Sequence, residues 1–108
     1  MTAIAIDLSQ MITAEARAAA RASAAETAIQ RHIDGVAASR GYRDGFALAG
    51  YATSTVPAWA AEAAAFVAWR DAVWGYAYTQ LAAVQTGERE QPTVTELVAE
   101  LPQMEWPA

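Results

Sequence analysis

The sequence predicts an all-α fold: a helical hairpin of two long helices followed by a short C-terminal helix. Three observations carry the prediction. Alanine, the strongest helix former, supplies 29 of the 108 residues. Helix breakers are sparse: Thr13–Arg40 contains only Gly35, and the stretch after Pro57 contains only Gly75 before Gly87. Apolar residues recur at spacings of three and four, the period of a helix face.

The chain reads as one helical domain, 1–108. Its parts are an N-terminal extended anchor (1–8), a first helix (9–40), a connector (41–56), an aromatic helix (57–86), and a short helix with its tail (87–108). From Ala3 to Leu8 small or acidic residues alternate with large apolar ones, so Ile4, Ile6 and Leu8 would share one face if a short β-strand forms. A lone strand in a helical chain needs a partner's sheet edge or a second copy to pair with. The other reading is a terminus with a few apolar anchors.

Asp7 and Gln10 have the spacing of a capping box, with Thr13 as a second start. Met11, Ala18, Ala25 and His32 then recur every seven residues, joined by Ala14, Ala22, Ile29 and Val36. This seam is thin and carries large side chains only near Ile29, Ile33 and Val36. Arg40-Gly41 ends the helix, since glycine suits the residue after a helix C-terminus. "YRDGFALAGY" forms a short helix or turn, and Ser54 or Thr55 caps the next helix with Pro57 in its first turn. Thr93 and Glu96 form a second capping box, opening a two-turn helix that carries Leu97, Val98 and Leu101 and stops at Pro102.

The aromatic helix from Pro57 to Gln85 is about 43 Å long. Projected at about 100° per residue, its large apolar residues fall on one side, among them Trp59, Phe66, Trp69, Val73, Trp74, Tyr76, Tyr78 and Leu81. The other side reads Ala61, Ala65, Ala68, Ala72, Gly75, Thr79, Ala82, a heptad-spaced seam of small side chains. Such a seam permits close approach of another helix, although an alanine face also tolerates water at little cost. One long and two short helices are little material to cover both sides. The protein-interaction residues expected are therefore Ile4, Ile6, Trp59, Phe66, Trp69, Trp74, Tyr76, Tyr78 and Trp106, with the small seam as the close-packing surface.

Composition excludes several functions. There is no cysteine, hence no disulfide framework and no thiolate chemistry. The net charge of −5 opposes binding to nucleic acid or to an anionic membrane surface. Neither of the two longest uncharged runs, Phe46–Ala61 and Ala72–Gly87, is long enough to span a bilayer. The opening residues lack a signal peptide's basic start and apolar core, so a cytoplasmic site of synthesis and assembly is expected. His32 is the one histidine, and Asp34 two positions on points elsewhere on a helix. No nucleophile, base and oxyanion donor come together, and no phosphate loop or metal-ligand spacing occurs. The expectation is a non-enzymatic protein with no cofactor, no metal and no small-molecule substrate.

The segment from "HIDGVAASRGY" to "LPQMEWP" resembles a group of small proteins, or C-terminal domains, of tailed bacteriophages that are encoded near the tail-fibre genes. The resemblance covers about residues 32–107. It rests on Arg40-Gly41-Tyr42, Tyr51 to Thr55, the W-R-D-x-x-W pattern Trp69–Trp74, Gly87 before Pro92-Thr93, and Leu101-Pro102 before Trp106-Pro107. It implies a virion or tail-assembly role; with the two uncovered sides of the aromatic helix, the expectation is a structural component of the virion, a tail or tail-fibre adaptor that binds other virion proteins and self-associates as a homo-oligomer. The alternative is a tail or tail-fibre assembly chaperone absent from the mature particle. The resemblance transfers no active-site residue.

Overall fold

Two glycines with positive φ mark where the long helices stop. The computed structural model describes the backbone of residues 2–108 and the side chains of residues 13–108. It contains α1 (Thr2–Ser39), α2 (Gly45–Ala49), a single 3-10 turn (Gly50–Thr53), α3 (Pro57–Gln85) and α4 (Val94–Glu100). Gly41 has φ 95° and Gly87 has φ 77°, a region that only glycine enters without strain. At both sites the chain closes a Schellman motif. Tyr42 N–H donates to Ala37 C=O (3.2 Å) and Glu88 N–H to Ala83 C=O (2.9 Å), satisfying carbonyls that the helices leave open.

The all-α hairpin is present as the sequence predicts, with three local corrections. No strand forms among the described residues: α1 already begins at Thr2. An isolated strand has nothing to hydrogen-bond with, whereas a helix satisfies its own backbone. For the same reason Asp7 lies inside α1 and is not its cap. At the start of α3, neither Ser54 nor Thr55 is the cap. Val56 occupies that position, Pro57 takes the first helical turn, and Ser54 Oγ accepts from Val56 N–H at 3.1 Å in a local turn. Thr93 does cap α4, accepting from Glu96 N–H at 3.1 Å.

The reversal between the long helices is built by α2. Asp44 caps α2 by accepting from Ala47 N–H at 2.8 Å, and Asp34 of α1 accepts from Gly45 N–H at 2.9 Å. Two carboxylates thus satisfy the open end of a five-residue helix and fasten it to α1. The antiparallel register follows. Arg40 pairs with Glu62 at 3.2 Å, the His32 ring lies 5.9 Å from that of Trp69, and Ala18 and Ala22 line one groove with Leu81 and Val84. In this register Gln85 lies near the level of Arg17, so the first part of α1 projects past the end of α3.

The core comprises Ile29, Ile33 and Ala37 of α1, Leu48 of α2, Ala63, Phe66, Trp69, Val73 and Ala77 of α3, then Leu97 and Leu101. No described residue before Ile29 is buried, and residues 13–21 are all exposed. The surface totals 7331 Å². A compact monomer of this mass exposes about 5,800 Å², so the chain leaves roughly 1,500 Å² more in water than its size requires. Its extents of 69 × 24 × 20 Å agree with that elongation.

Gly45 sits where α2 crosses the hairpin: an added Cβ would lie 3.1 Å from Phe66 Cζ and 3.3 Å from Ile33 Cγ2. Gly45→Ala is expected to destabilise by about 1–3 kcal/mol in urea unfolding. Gly75, mid-helix with nothing within 4 Å of an added Cβ, is its counterpart. Gly75→Ala is expected to stabilise by about 0.5–1 kcal/mol in the same assay. Trp69→Phe removes an indole N–H that donates to Pro102 C=O at 2.7 Å, and should cost about 1–2 kcal/mol.

Candidate functional site

The polar side chains form fasteners. Arg89 in the α3–α4 loop makes a bidentate pair with Glu100 of α4, one arm at 2.8 Å, and Tyr76 Oη of α3 donates to the same carboxylate at 2.6 Å. Arg89 also donates to Gln80. The Arg89 and Tyr76 hydrogen bonds stabilise the ionised form of Glu100 and pull its pKa to about 2. The same contact raises Tyr76. Such a carboxylate exchanges no proton near neutral pH, so the cluster clasps α4 to α3 and is unsuited to general acid–base work. Among the described residues no group of three His, Cys, Asp or Glu side chains is placed to hold a metal ion. His32 is half-buried, with its ring tilted against Trp69. Arg70 pairs with its neighbour Asp71 at 3.0 Å. Nor, among the described residues, is any helix long and apolar enough to cross a membrane.

The expected interaction residues fall into three groups. Phe66 and Trp69 are buried in the chain's own core, so they hold the hairpin together and are closed to a partner. Trp74, Tyr76 and Trp106 are half-buried against that core, and the Arg40 guanidinium lies 5.1 Å from the Trp106 ring centroid. Trp59 and Tyr78 remain in water, 47% and 58% exposed. The side chains of Ile4 and Ile6 lie outside the described residues. The small seam is bare: Ala61, Ala68, Ala72, Gly75, Thr79 and Ala82 are exposed, and Ala65 is half-buried.

Two apolar surfaces result. At the bend, Tyr42, Tyr51 and Trp59 form a ladder with successive ring centroids 5.6 and 5.7 Å apart. On the neighbouring α2, Phe46 stands 86% exposed. Sequence reading did not single out Phe46; the only signal was a phenylalanine in a segment too short to bury all its sides. At the open end, a groove of ≈ 410 Å³ lies between α1 and α3. Ala18, Ala22 and Ala25 form one wall, and Trp74, Tyr78 and Leu81 the other. Trp74 and Tyr78 stack there at 5.9 Å. This geometry serves binding of apolar surfaces. Sequence reading also missed Asp34 and Arg89 as fasteners, because both act on residues distant in the chain.

No family model, curated protein or solved structure matches the chain.

The clasp has a pH signature. Because Glu100 binds its proton less readily in the folded state, its contribution is complete above the ordinary glutamate pKa of about 4.3. It fades as pH falls toward about 2. Acid titration should therefore loosen α4 within that window, read as faster exchange of the Trp69 indole N–H by NMR. Glu100→Gln should remove that part of the pH dependence.

Proposed function

We propose that this chain is a non-enzymatic structural component of a bacteriophage particle, an adaptor at the tail or tail fibre that binds other virion proteins. The observation that carries the reading is α3. The middle of its bulky side is taken up by the chain's own core, and its other side is a bare helix-packing seam nearly the length of the helix. The aromatic bend supports it further. Phe46 and Tyr51 on the connector and Trp59 in the first turn of α3 are large apolar side chains held in water, the type of residue that anchors protein interfaces. Asp34, Asp44, Arg89 and Glu100 are engaged in capping and clasping, which fits a building block. The resemblance to proteins encoded near phage tail-fibre genes supplies the setting, with the virion, assembled in the host cytoplasm, as the place of action.

Proteomics of purified particles tests the proposal. Stoichiometric presence of the chain is the expected result. Association with tail or fibre proteins in the lysate together with absence from the particle would identify an assembly chaperone instead. Absence from both overturns the phage reading. Phe46→Ala is expected to leave stability within about 0.5 kcal/mol while reducing incorporation into particles.

A further inference from the structure

The groove at the open end carries a charge that nothing in the described chain answers. We propose that it is a binding site for an organic cation with a single apolar tail, of the alkylammonium class. The cationic head rests between the Glu26 carboxylate and the stacked rings of Trp74 and Tyr78, and the tail lies along the alanines of α1. The inference goes beyond the structural role and does not rest on it.

Helix geometry builds the head site. His32 against Trp69 and Arg40 with Glu62 fix the antiparallel register of α1 and α3. In that register Glu26 stands level with the turn of α3 between Trp74 and Tyr78, and all three line the groove. Among the described residues Glu26 has no hydrogen bond or ion pair. Its neighbours one turn away on α1 are Ala22, Ser23, Ile29 and Gln30, none of them a cation. On the α3 side, the Trp74 and Tyr78 rings are stacked with centroids 5.9 Å apart and planes inclined by 29°. The faces of such rings carry partial negative charge. A carboxylate across from an aromatic pair therefore attracts a cation twice, by its full charge and by the ring quadrupoles, and repels an anion. Arg21 also lines the groove. It is five residues from Glu26, hence about 140° round α1 and on the opposite rim.

Shape selects a single tail. The groove holds ≈ 410 Å³, within the range of small-molecule sites, and Ala18, Ala22, Ala25, Leu81 and Val84 supply apolar walls. From Glu26 to Ala18 it runs about 12 Å along α1. Packed helices lie about 8–10 Å apart, whereas a third helix is about 10–12 Å wide, so a helix spans this mouth without entering it. The four-carbon stem of a partner's lysine covers only part of the length. A linear alkyl chain enters and lies along it.

Isothermal titration calorimetry of the full chain with decyltrimethylammonium, kept below its micelle concentration, is the deciding measurement. One saturable site per chain is expected, binding about tenfold tighter than the neutral decyl maltoside or the anionic decyl sulfate. Octyltrimethylammonium, with a shorter tail, should bind roughly tenfold more weakly than the decyl compound. Glu26→Gln should erase the preference for the cation. Glu96→Gln, an equal change of net charge at an exposed position outside the groove, should leave it intact. Tyr78→Ala, at an exposed position, should weaken binding of the cation about threefold to tenfold. Helical circular dichroism checks the fold of each variant, and the head-group series on the unmodified chain decides the matter even if one of them unfolds. The proposal is overturned by the absence of a saturable site, by equal affinity for the three head groups, by tighter binding of the sulfate, or by the same response in Glu26→Gln and Glu96→Gln.

Discussion

Trp69 is the residue on which the arrangement of the chain depends. Its ring is enclosed by Phe66 on its own helix and His32 on α1, with centroids 5.8 and 5.9 Å away. Its indole N–H reaches the carbonyl of Pro102 beyond α4. One side chain therefore joins both arms of the hairpin and the C-terminal tail. A tryptophan suits that position because it buries a large area and still offers one polar group, which must find an acceptor once water is excluded. Pro102 serves twice, stopping α4 and presenting its carbonyl in an extended segment where no helix competes for it.

The connector depends on the same economy of parts. Five residues of α2 do not make a stable helix alone. Their open N–H groups are met by Asp44 from the preceding residue and by Asp34 from α1, and Leu48 seals the core beneath. Gly45 makes this crossing possible, because any side chain there would enter the space already held by Ile33 and Phe66. The direction in which the hairpin folds back is thus set by one carboxylate and one absent methyl group. Neither gives a local sequence signal, since both act between segments eleven or more residues apart.

What could be read beforehand follows from this distinction. Helix ends were legible where a single residue type enforces them: Gly41 and Gly87 at the two Schellman turns, Thr93 at the α4 cap, Pro102 at its stop. The bulky side of α3 was legible from angle alone, and its centre is the buried line Ala63, Phe66, Val73 and Ala77. Angle does not report position along the axis. Trp59 projects onto the middle of that side yet is half in water, because it lies in the first turn, at the end of the helix, where its ring neighbour is Tyr51. Alternation at residues 2–8 misled for a related reason. It records which side chains share a face if a strand exists, while the existence of a strand depends on a pairing edge, and the described residues form no sheet.

The abundance of alanine explains both the stability of the frame and its incompleteness. Alanine lets α1 and the small side of α3 stay helical in water without burial, since it loses no side-chain entropy and exposes little apolar area. The same small volume leaves the space between Ala18, Ala22, Ala25 and Leu81 unfilled, because two helices separated by Trp74 and Tyr78 cannot close onto methyl groups. Larger residues at those positions would complete a private core and remove any opening for another helix. A chain that keeps them as alanine retains a pre-formed helical surface whose cost of ordering is already met within the monomer. Association then has less conformational entropy to overcome than the folding of a disordered segment would, and a modest interface becomes sufficient.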